Sequence, residues 1–177
     1  MVHADASNFE GVSSKEEVYE QLLLQAEGLF DGQRNWVCNL SNAASLLWHA
    51  YKSLPAPSCH VNWAGFYTLD PQTPNQLILA PFQGKPACQL IPFTRGVCGR
   101  AASTRQTQLV HDVLAFPGHI ACDADSRSEI VVPILVGDNR VVGIIDVDCA
   151  VEGGFDDTDR KWLERLAGVI GGACDWP

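Results

Sequence analysis

Two apolar runs around a four-residue turn place the strongest constraint on the fold. Residues 130–136 read IVVPILV and residues 141–147 read VVGIIDV, and between them stands GDNR, a hairpin turn signal. Strands that are apolar at nearly every position are typical of sheets covered on both faces. The chain is therefore predicted to contain a buried antiparallel hairpin, in which Pro133 indicates a bulge.

Helical patterns flank this hairpin and an earlier pair of strands. Apolar residues recur at helical spacing in three segments, whose predicted starts are Ser13 or Ser14, Asn35 or Asn39, and Asp156, Asp157 or Thr158. The first ends near Phe30, and Pro55 stops the second. Residues 61–69 and 76–82 are rich in strand formers and predict a second hairpin. This order favours an α+β fold, an antiparallel β-sheet with the N- and C-terminal helices packed on it.

Residues 83–128 differ from the rest of the chain. Gly, Pro, Ser, Thr and single cysteines recur there, with one short helix predicted to start near Gly96 or Val97. A connection this long with so little regular pattern is usually functional. We expect it to form a long active-site loop region.

The bulk composition limits the possible partners. A length of 177 residues fits a flexible N-terminus at 1–12 and one domain at 13–177. A net charge of −9 argues against a nucleic-acid surface, which needs clustered Lys and Arg. The chain has no apolar run long enough to span a bilayer and no N-terminal signal layout, so we expect a cytoplasmic protein without a membrane partner. An odd number of cysteines, seven, indicates a reducing compartment and free thiols.

Three cysteines lie in the irregular region, namely Cys88, Cys98 and Cys122. A thiol redox centre needs a reachable thiolate and a second thiol that captures the oxidised product. Cys98 stands where a loop enters the short helix, between Arg95 and Arg100, and this position predicts a lowered thiol pKa. Cys38 and Cys174 occupy helical patterns and Cys149 follows a buried strand, so we interpret these three as buried packing residues. Cys59 lies in a Pro-rich turn, and we expect no role for it.

A structural zinc site is the main alternative for the three loop cysteines. Such sites usually pair cysteines two to four residues apart. Here the separations are ten and 24 residues, without a close pair, so we predict no metal.

Acidic residues are expected to gather at one end of the buried hairpin. Asp146 and Asp148 are two apart on a strand and therefore share a face, and hairpin pairing places Glu129 opposite them. Buried carboxylates need a counter-charge, which a ligand ammonium, a protein cation or a metal ion such as calcium could supply. Solvated residues at the start of a loop are the alternative interpretation of the two aspartates.

Trp63 and Tyr67 also share one strand face, with Gly65 between them leaving space. They could be core aromatics, or they could wall a small pocket that accepts a methyl group or a cation.

The segments NWAGFYTL, FQGKPACQLIPFTRGVCGRAA, TQLVHDVLAFPGHIACDADSRSEIVVPI and GIIDVD together resemble the free methionine-(R)-sulfoxide reductase family, whose fold is a GAF domain. The resemblance runs from about Glu17 to about Ala173 and includes the spacing of the three loop cysteines. Cys149 departs from the family pattern, which usually has a small hydroxyl residue there.

The resemblance implies a substrate, free L-methionine (R)-S-oxide, and a role for each candidate residue. Cys122 would attack the sulfoxide sulfur and become a sulfenic acid, and Cys88 or Cys98 would then form a disulfide with it that thioredoxin reduces. The acidic pocket would hold the substrate ammonium, with at least one acid polarising or protonating the sulfoxide oxygen: Glu129, Asp146 and Asp148. Trp63 and Tyr67 would surround the substrate methyl group.

The resemblance implies an enzyme that counters oxidative stress without a bound cofactor, and it leaves a homodimer through the terminal helices open. A non-enzymatic GAF module that binds a small molecule or senses oxidants is the alternative function. Both would form a disulfide after peroxide, but only the enzyme would form it stoichiometrically with the sulfoxide.

Overall fold

The structure is a computed structural model that describes residues 9, 14–118 and 124–176. Its helices are α1 Lys15–Phe30, α2 Trp36–Ser53, α3 Gly96–Thr104 and α4 Asp157–Ala173. Its strands are β1 Val61–Leu69, β2 Gln76–Gly84, β3 Leu90–Pro92, β4 Gln108–Val110, β5 Ser128–Val136 and β6 Arg140–Cys149. The predicted α+β fold is confirmed, and the short strands β3 and β4 are additions that the sequence did not indicate.

The six strands form one antiparallel sheet in the order β3-β2-β1-β6-β5-β4. Both predicted hairpins are present, β1 with β2 and β5 with β6. Pro133 pairs regularly with Ile144, and the register shifts one step later, between Ile134 and Leu135. The irregularity therefore lies beside the proline and not at it.

Helices α1, α2 and α4 pack on one face of the sheet and form the larger hydrophobic core with it. Each helix begins at a predicted capping residue. Ser14 and Glu17 form a capping box at α1, the Asn35 side chain accepts from the Cys38 amide at α2, and Asp156 caps α4. Of the N-terminal segment predicted to be flexible, only Phe9 is described, and its side chain is buried in this core.

A buried polar network ties the three helices together. The Tyr19 hydroxyl donates to Asp159 Oδ1 at 2.7 Å and lies 2.6 Å from the Tyr51 hydroxyl. Lys15 forms an ion pair with the other oxygen of Asp159, whose side chain is fully buried. Burial, the largest effect, raises the pKa of Asp159 above its ordinary value, and Lys15 opposes that rise.

Helix α3 covers the opposite face of the sheet and forms a second, smaller core with it. Residues of β5 and β6 are buried on both faces, as the near-continuous apolar runs predict. Among the described helices, none combines the length and the apolar composition that crossing a bilayer requires.

Candidate active site

The acidic residues of β5 and β6 converge at one end of the hairpin. Glu129 pairs directly with Asp148 across the strands, and Asp146 pairs with Val131. Strand β1 runs along the other side of β6, where Trp63 is the partner of Asp148. Because residues paired across strands point to the same face, this register places the carboxylates beside the Trp63 indole on the α3 side of the sheet.

A cavity of about 180 Å³ opens on this face. Seven of the eight candidate site residues line it: Trp63, Tyr67, Cys88, Cys98, Glu129, Asp146 and Asp148. The eighth, Cys122, lies outside the described residues. Sites for drug-sized ligands usually occupy about 300–1,000 Å³, so this cavity suits a small metabolite.

Cys98 occupies the third position of α3 and points its thiol into the acidic cluster. Its Sγ donates to Asp146 Oδ2 at 3.3 Å and lies 3.5 Å from Glu129 Oε1. Burial, followed by the charges of Asp146 and Glu129, raises the pKa of this thiol well above its ordinary value. The prediction of a lowered pKa is therefore wrong, because burial and the adjacent acids outweigh the helix start.

The two buried carboxyl groups also hold their protons more tightly than usual. Burial is the largest cause for both, and it raises the pKa of Asp146 to about 7 and that of Glu129 well above its ordinary range. The charges of Asp146 and Asp148 raise the Glu129 pKa further. Asp146 Oδ1 is buried and accepts no hydrogen bond from the described residues. The cluster can therefore share protons near neutral pH and accept a cationic donor.

Cys88 differs from the other described cysteines in its oxidation state. It is half-buried, lines the cavity and is disulfide-bonded. The other five described cysteines are free thiols: Cys38, Cys59, Cys98, Cys149 and Cys174. Cys149 and Cys174 are buried, as predicted for packing residues, whereas Cys38 is exposed on α2 and that interpretation of it is wrong.

Aromatic rings form one wall of the cavity. The Trp63 ring centroid lies 5.9 Å from that of Tyr67 and 5.2 Å from that of Phe82, and both pairs are stacked. The Trp63 indole nitrogen also donates to the Lys85 carbonyl at 3.2 Å. The prediction that Gly65 leaves space for a ligand is wrong, because a Cβ added there would lie 2.3 Å from the Cβ of Phe82. The glycine instead admits the Phe82 side chain.

Several lining residues were not predicted from the sequence. Strand β3 supplies Ile91 and Pro92, and Ser126 approaches from the segment before β5. The Ser126 hydroxyl accepts a hydrogen bond from Asn62 at 3.1 Å. No motif marks these positions in the sequence. Only the return of the long loop over the sheet brings them to the cavity.

One group in the described residues could hold a metal ion. The Cys98 sulfur and one oxygen each from Glu129 and Asp146 lie within 4.8 Å of one another. A thiolate with two carboxylates suits zinc better than calcium, which prefers oxygen ligands alone. In the structure, thiol hydrogen bonds already connect these atoms.

Comparison with known proteins places this geometry in a family. The sequence model of the GAF domain matches residues 42–175. The free methionine-R-sulfoxide reductase of Saccharomyces cerevisiae is 58% identical over 172 residues, which cover 97% of this chain and 94% of that protein.

Two solved structures match as well. A GAF domain with 56% identity superposes with a TM-score of 0.94 and covers 99% of this chain and 98% of that chain. The free methionine-R-sulfoxide reductase of Neisseria meningitidis in complex with its substrate has 42% identity, a TM-score of 0.83 and coverage of 92% of both chains. The chain therefore belongs to the free methionine-R-sulfoxide reductase family of GAF-domain proteins.

Proposed function

We propose that this protein reduces free L-methionine (R)-S-oxide to L-methionine. One observation carries the proposal: a single small cavity is lined by the disulfide-bonded Cys88, by three carboxylates and by an aromatic wall. The relatives named above as free methionine-R-sulfoxide reductases support the same substrate.

The acidic cluster selects the free amino acid. The substrate ammonium donates to the carboxylates of Glu129, Asp146 and Asp148. One acceptor for it is Oδ1 of Asp146, which has no hydrogen-bond partner among the described residues. A methionine sulfoxide inside a polypeptide has an amide in place of this ammonium, so it cannot form these charge-assisted bonds. Trp63 and Tyr67 contact the methyl group and the side-chain methylenes.

The chemistry is carried by thiols. The Cys122 thiolate attacks the sulfoxide sulfur, the sulfur–oxygen bond breaks, and the oxygen leaves with Cys122 as a sulfenic acid while methionine is released. A raised carboxyl pKa at Asp146 or Glu129 keeps a proton available for the sulfoxide oxygen during this step.

Cys88 is the resolving thiol in this scheme. It condenses with the Cys122 sulfenic acid, releases water and forms a disulfide, which the dithiol of thioredoxin then reduces while thioredoxin is itself oxidised. Two observations favour Cys88 over Cys98. Cys88 is disulfide-bonded, whereas Cys98 is a free, buried thiol whose raised pKa disfavours the reactive thiolate. All electrons come from thiols, so the scheme needs no bound cofactor, and it suits the reducing cytoplasm.

The test is an epimer-resolved assay. The protein is incubated with thioredoxin, thioredoxin reductase and NADPH, and NADPH consumption is followed with each epimer of free methionine sulfoxide. We expect turnover with the R epimer only, and none with N-acetylmethionine (R)-S-oxide, which lacks the ammonium. Absence of R-epimer turnover, or equal turnover of both epimers, would refute the proposal.

Oxidant sensing is the second candidate, since a disulfide at Cys88 would also serve a sensor. Mass spectrometry of the reduced protein separates the two functions. An enzyme forms one disulfide for each sulfoxide consumed, whereas a sensor forms it with peroxide and not with the sulfoxide.

A further inference from the structure

A second concave surface lies beside α3 and is cationic. This cleft has a volume of about 940 Å³ and is lined by α3, by the β5–β6 turn and by residues 116–118. Three arginines line it, Arg100, Arg105 and Arg140, and among the described lining residues Asp138 is the one carboxylate. All three arginines are exposed.

The charge of this cleft contrasts with the rest of the molecule. The chain has 21 acidic and 12 basic residues. Of the nine basic side chains outside the cleft, six pair with carboxylates: Lys15, Arg34, Lys85, Arg127, Arg160 and Lys161. Within the described residues, the three cleft arginines form no such ion pair. An acidic protein thus presents a local surface with free positive charge.

The cleft adjoins the reactive end of the protein. Gly96 lines both the cleft and the active-site cavity that contains Cys88. Gly118 also lines the cleft, and in the sequence it stands four residues before Cys122. A protein that delivers electrons to Cys88 must approach this side of the molecule.

The lining also has the chemistry of a protein-binding surface. The Arg100 guanidinium lies over the Phe116 ring, 5.9 Å from its centroid, and Phe93 is a further aromatic residue in the cleft. Arginine and aromatic residues together are typical of the energetically dominant positions in protein interfaces.

We infer that this arginine cleft, defined by Arg100, Arg105 and Arg140, docks the dithiol protein that reduces the enzyme, through carboxylates around that protein's own redox site. The inference rests on the proposed function, which requires such a reductant. The positive charge of the cleft would accelerate association with the reductant. It would not change the affinity for the zwitterionic sulfoxide, because that substrate binds in the separate acidic cavity.

The experiment compares a triple variant with a control of equal charge change. R100A/R105A/R140A removes the cleft charges, and R34A/R160A/K161A removes three exposed or half-buried basic side chains that already pair with carboxylates elsewhere. We expect the first variant to raise KM for thioredoxin about tenfold, since exposed charge pairs contribute roughly twofold each. KM for the sulfoxide, and turnover driven by dithiothreitol, should stay unchanged in both variants.

Salt supplies a second measurement. Fluorescence anisotropy of labelled thioredoxin should show binding to the unaltered protein that weakens as ionic strength rises, and the cleft variant should lose this dependence. Equal thioredoxin KM in the two triple variants, or binding that does not respond to salt, would overturn the inference. Failure of dithiothreitol-driven turnover in the unaltered protein would instead overturn the proposed function. The anisotropy measurement would still show whether thioredoxin binds at the cleft.

Discussion

The thiol of Cys98 donates a hydrogen bond to the carboxylate of Asp146, with 3.3 Å between Sγ and Oδ2. This bond holds the sulfur as a protonated thiol inside the acidic cluster, where burial and negative charge oppose a thiolate. Cys88 lines the same cavity but is disulfide-bonded, so the two cysteines differ in oxidation state. The cysteines of the site therefore differ in reactivity through their surroundings.

Replacing each cysteine of the trio by serine should give three different outcomes. Cys122→Ser should lower turnover by more than about a hundredfold, as expected for loss of a nucleophile. With thioredoxin as the reductant, the Cys88→Ser variant should release one methionine per protein and then stop turning over. Cys98→Ser should retain recycling, because its hydroxyl can still donate to Asp146. Rapid-quench measurement of methionine distinguishes these results, and a single-turnover phenotype in Cys98→Ser would transfer the resolving role to that residue.

Glu129→Gln should raise KM for the sulfoxide by roughly ten- to a hundredfold, since it removes a charge-assisted bond to the ammonium while keeping the side-chain shape. Glu152→Gln is the control, because Glu152 is exposed and pairs with Arg127. Steady-state kinetics on the R epimer measures both. An unchanged KM in Glu129→Gln would remove Glu129 from the binding site.

The buried Asp146 predicts a pH-dependent cost to stability. Its pKa is about 7 in the folded protein, above the ordinary value of 3.8. Below about pH 3 both states hold the proton and the folded state bears no cost. As pH rises from about 4 to about 7, the unfolded state loses the proton first. This stabilises the unfolded state relative to the folded state by a few kcal/mol.

Asp146→Asn should remove this cost. The variant should match the unaltered protein in melting temperature near pH 3 and exceed it near pH 8, in the absence of substrate. Scanning calorimetry at several pH values provides the measurement. A variant that is less stable than the unaltered protein at pH 8 would contradict the assignment of the raised pKa.

Asp159→Ala should destabilise the fold by about 3 kcal/mol, because it breaks a buried ion pair with Lys15 and leaves the Tyr19 hydroxyl without its acceptor. The neighbouring Asp157→Ala is the matched control. Its side chain is 89% exposed, so its loss should change the free energy of unfolding by less than about 0.5 kcal/mol. Urea unfolding measures the free energy of unfolding of both variants. Equal losses would show that the buried network contributes little to stability.

Gly65→Ala should destabilise the protein by roughly 1–3 kcal/mol, since its Cβ would lie 2.3 Å from the Cβ of Phe82 and 2.9 Å from the Trp63 ring. It should also raise KM, because the aromatic wall must shift. Gly28→Ala has nothing within 4 Å of the new Cβ and lies inside α1, so it should stabilise by about 0.5–1 kcal/mol. Thermal melts and KM values of both variants test the contrast.

Much of the fold could be predicted because its signals are local. The caps at Ser14 and Asp156 are short-range patterns, and the β5–β6 turn fixes the register that sets Glu129 opposite Asp148. Strands β3 and β4 have three residues each, too few for a period to show, and they form only because a longer strand is already beside them.

The site was harder to predict where a property depends on surroundings that are distant in sequence. The pKa of Cys98 is set by Glu129 and Asp146, which are 31 and 48 residues away. The space at Gly65 is filled by Phe82 from the neighbouring strand. Residue types and spacing identified the candidates, but only packing determines their protonation and the room around them.

The sheet separates the two hydrophobic cores, and this division has an evolutionary consequence. The helices α1, α2 and α4 and the larger core maintain the fold on one side, while the thiols and acids work on the other. Substitutions in the loops over the reactive side can therefore accumulate with little effect on the side that keeps the chain folded. A scaffold of this kind can acquire new ligands through changes confined to one layer.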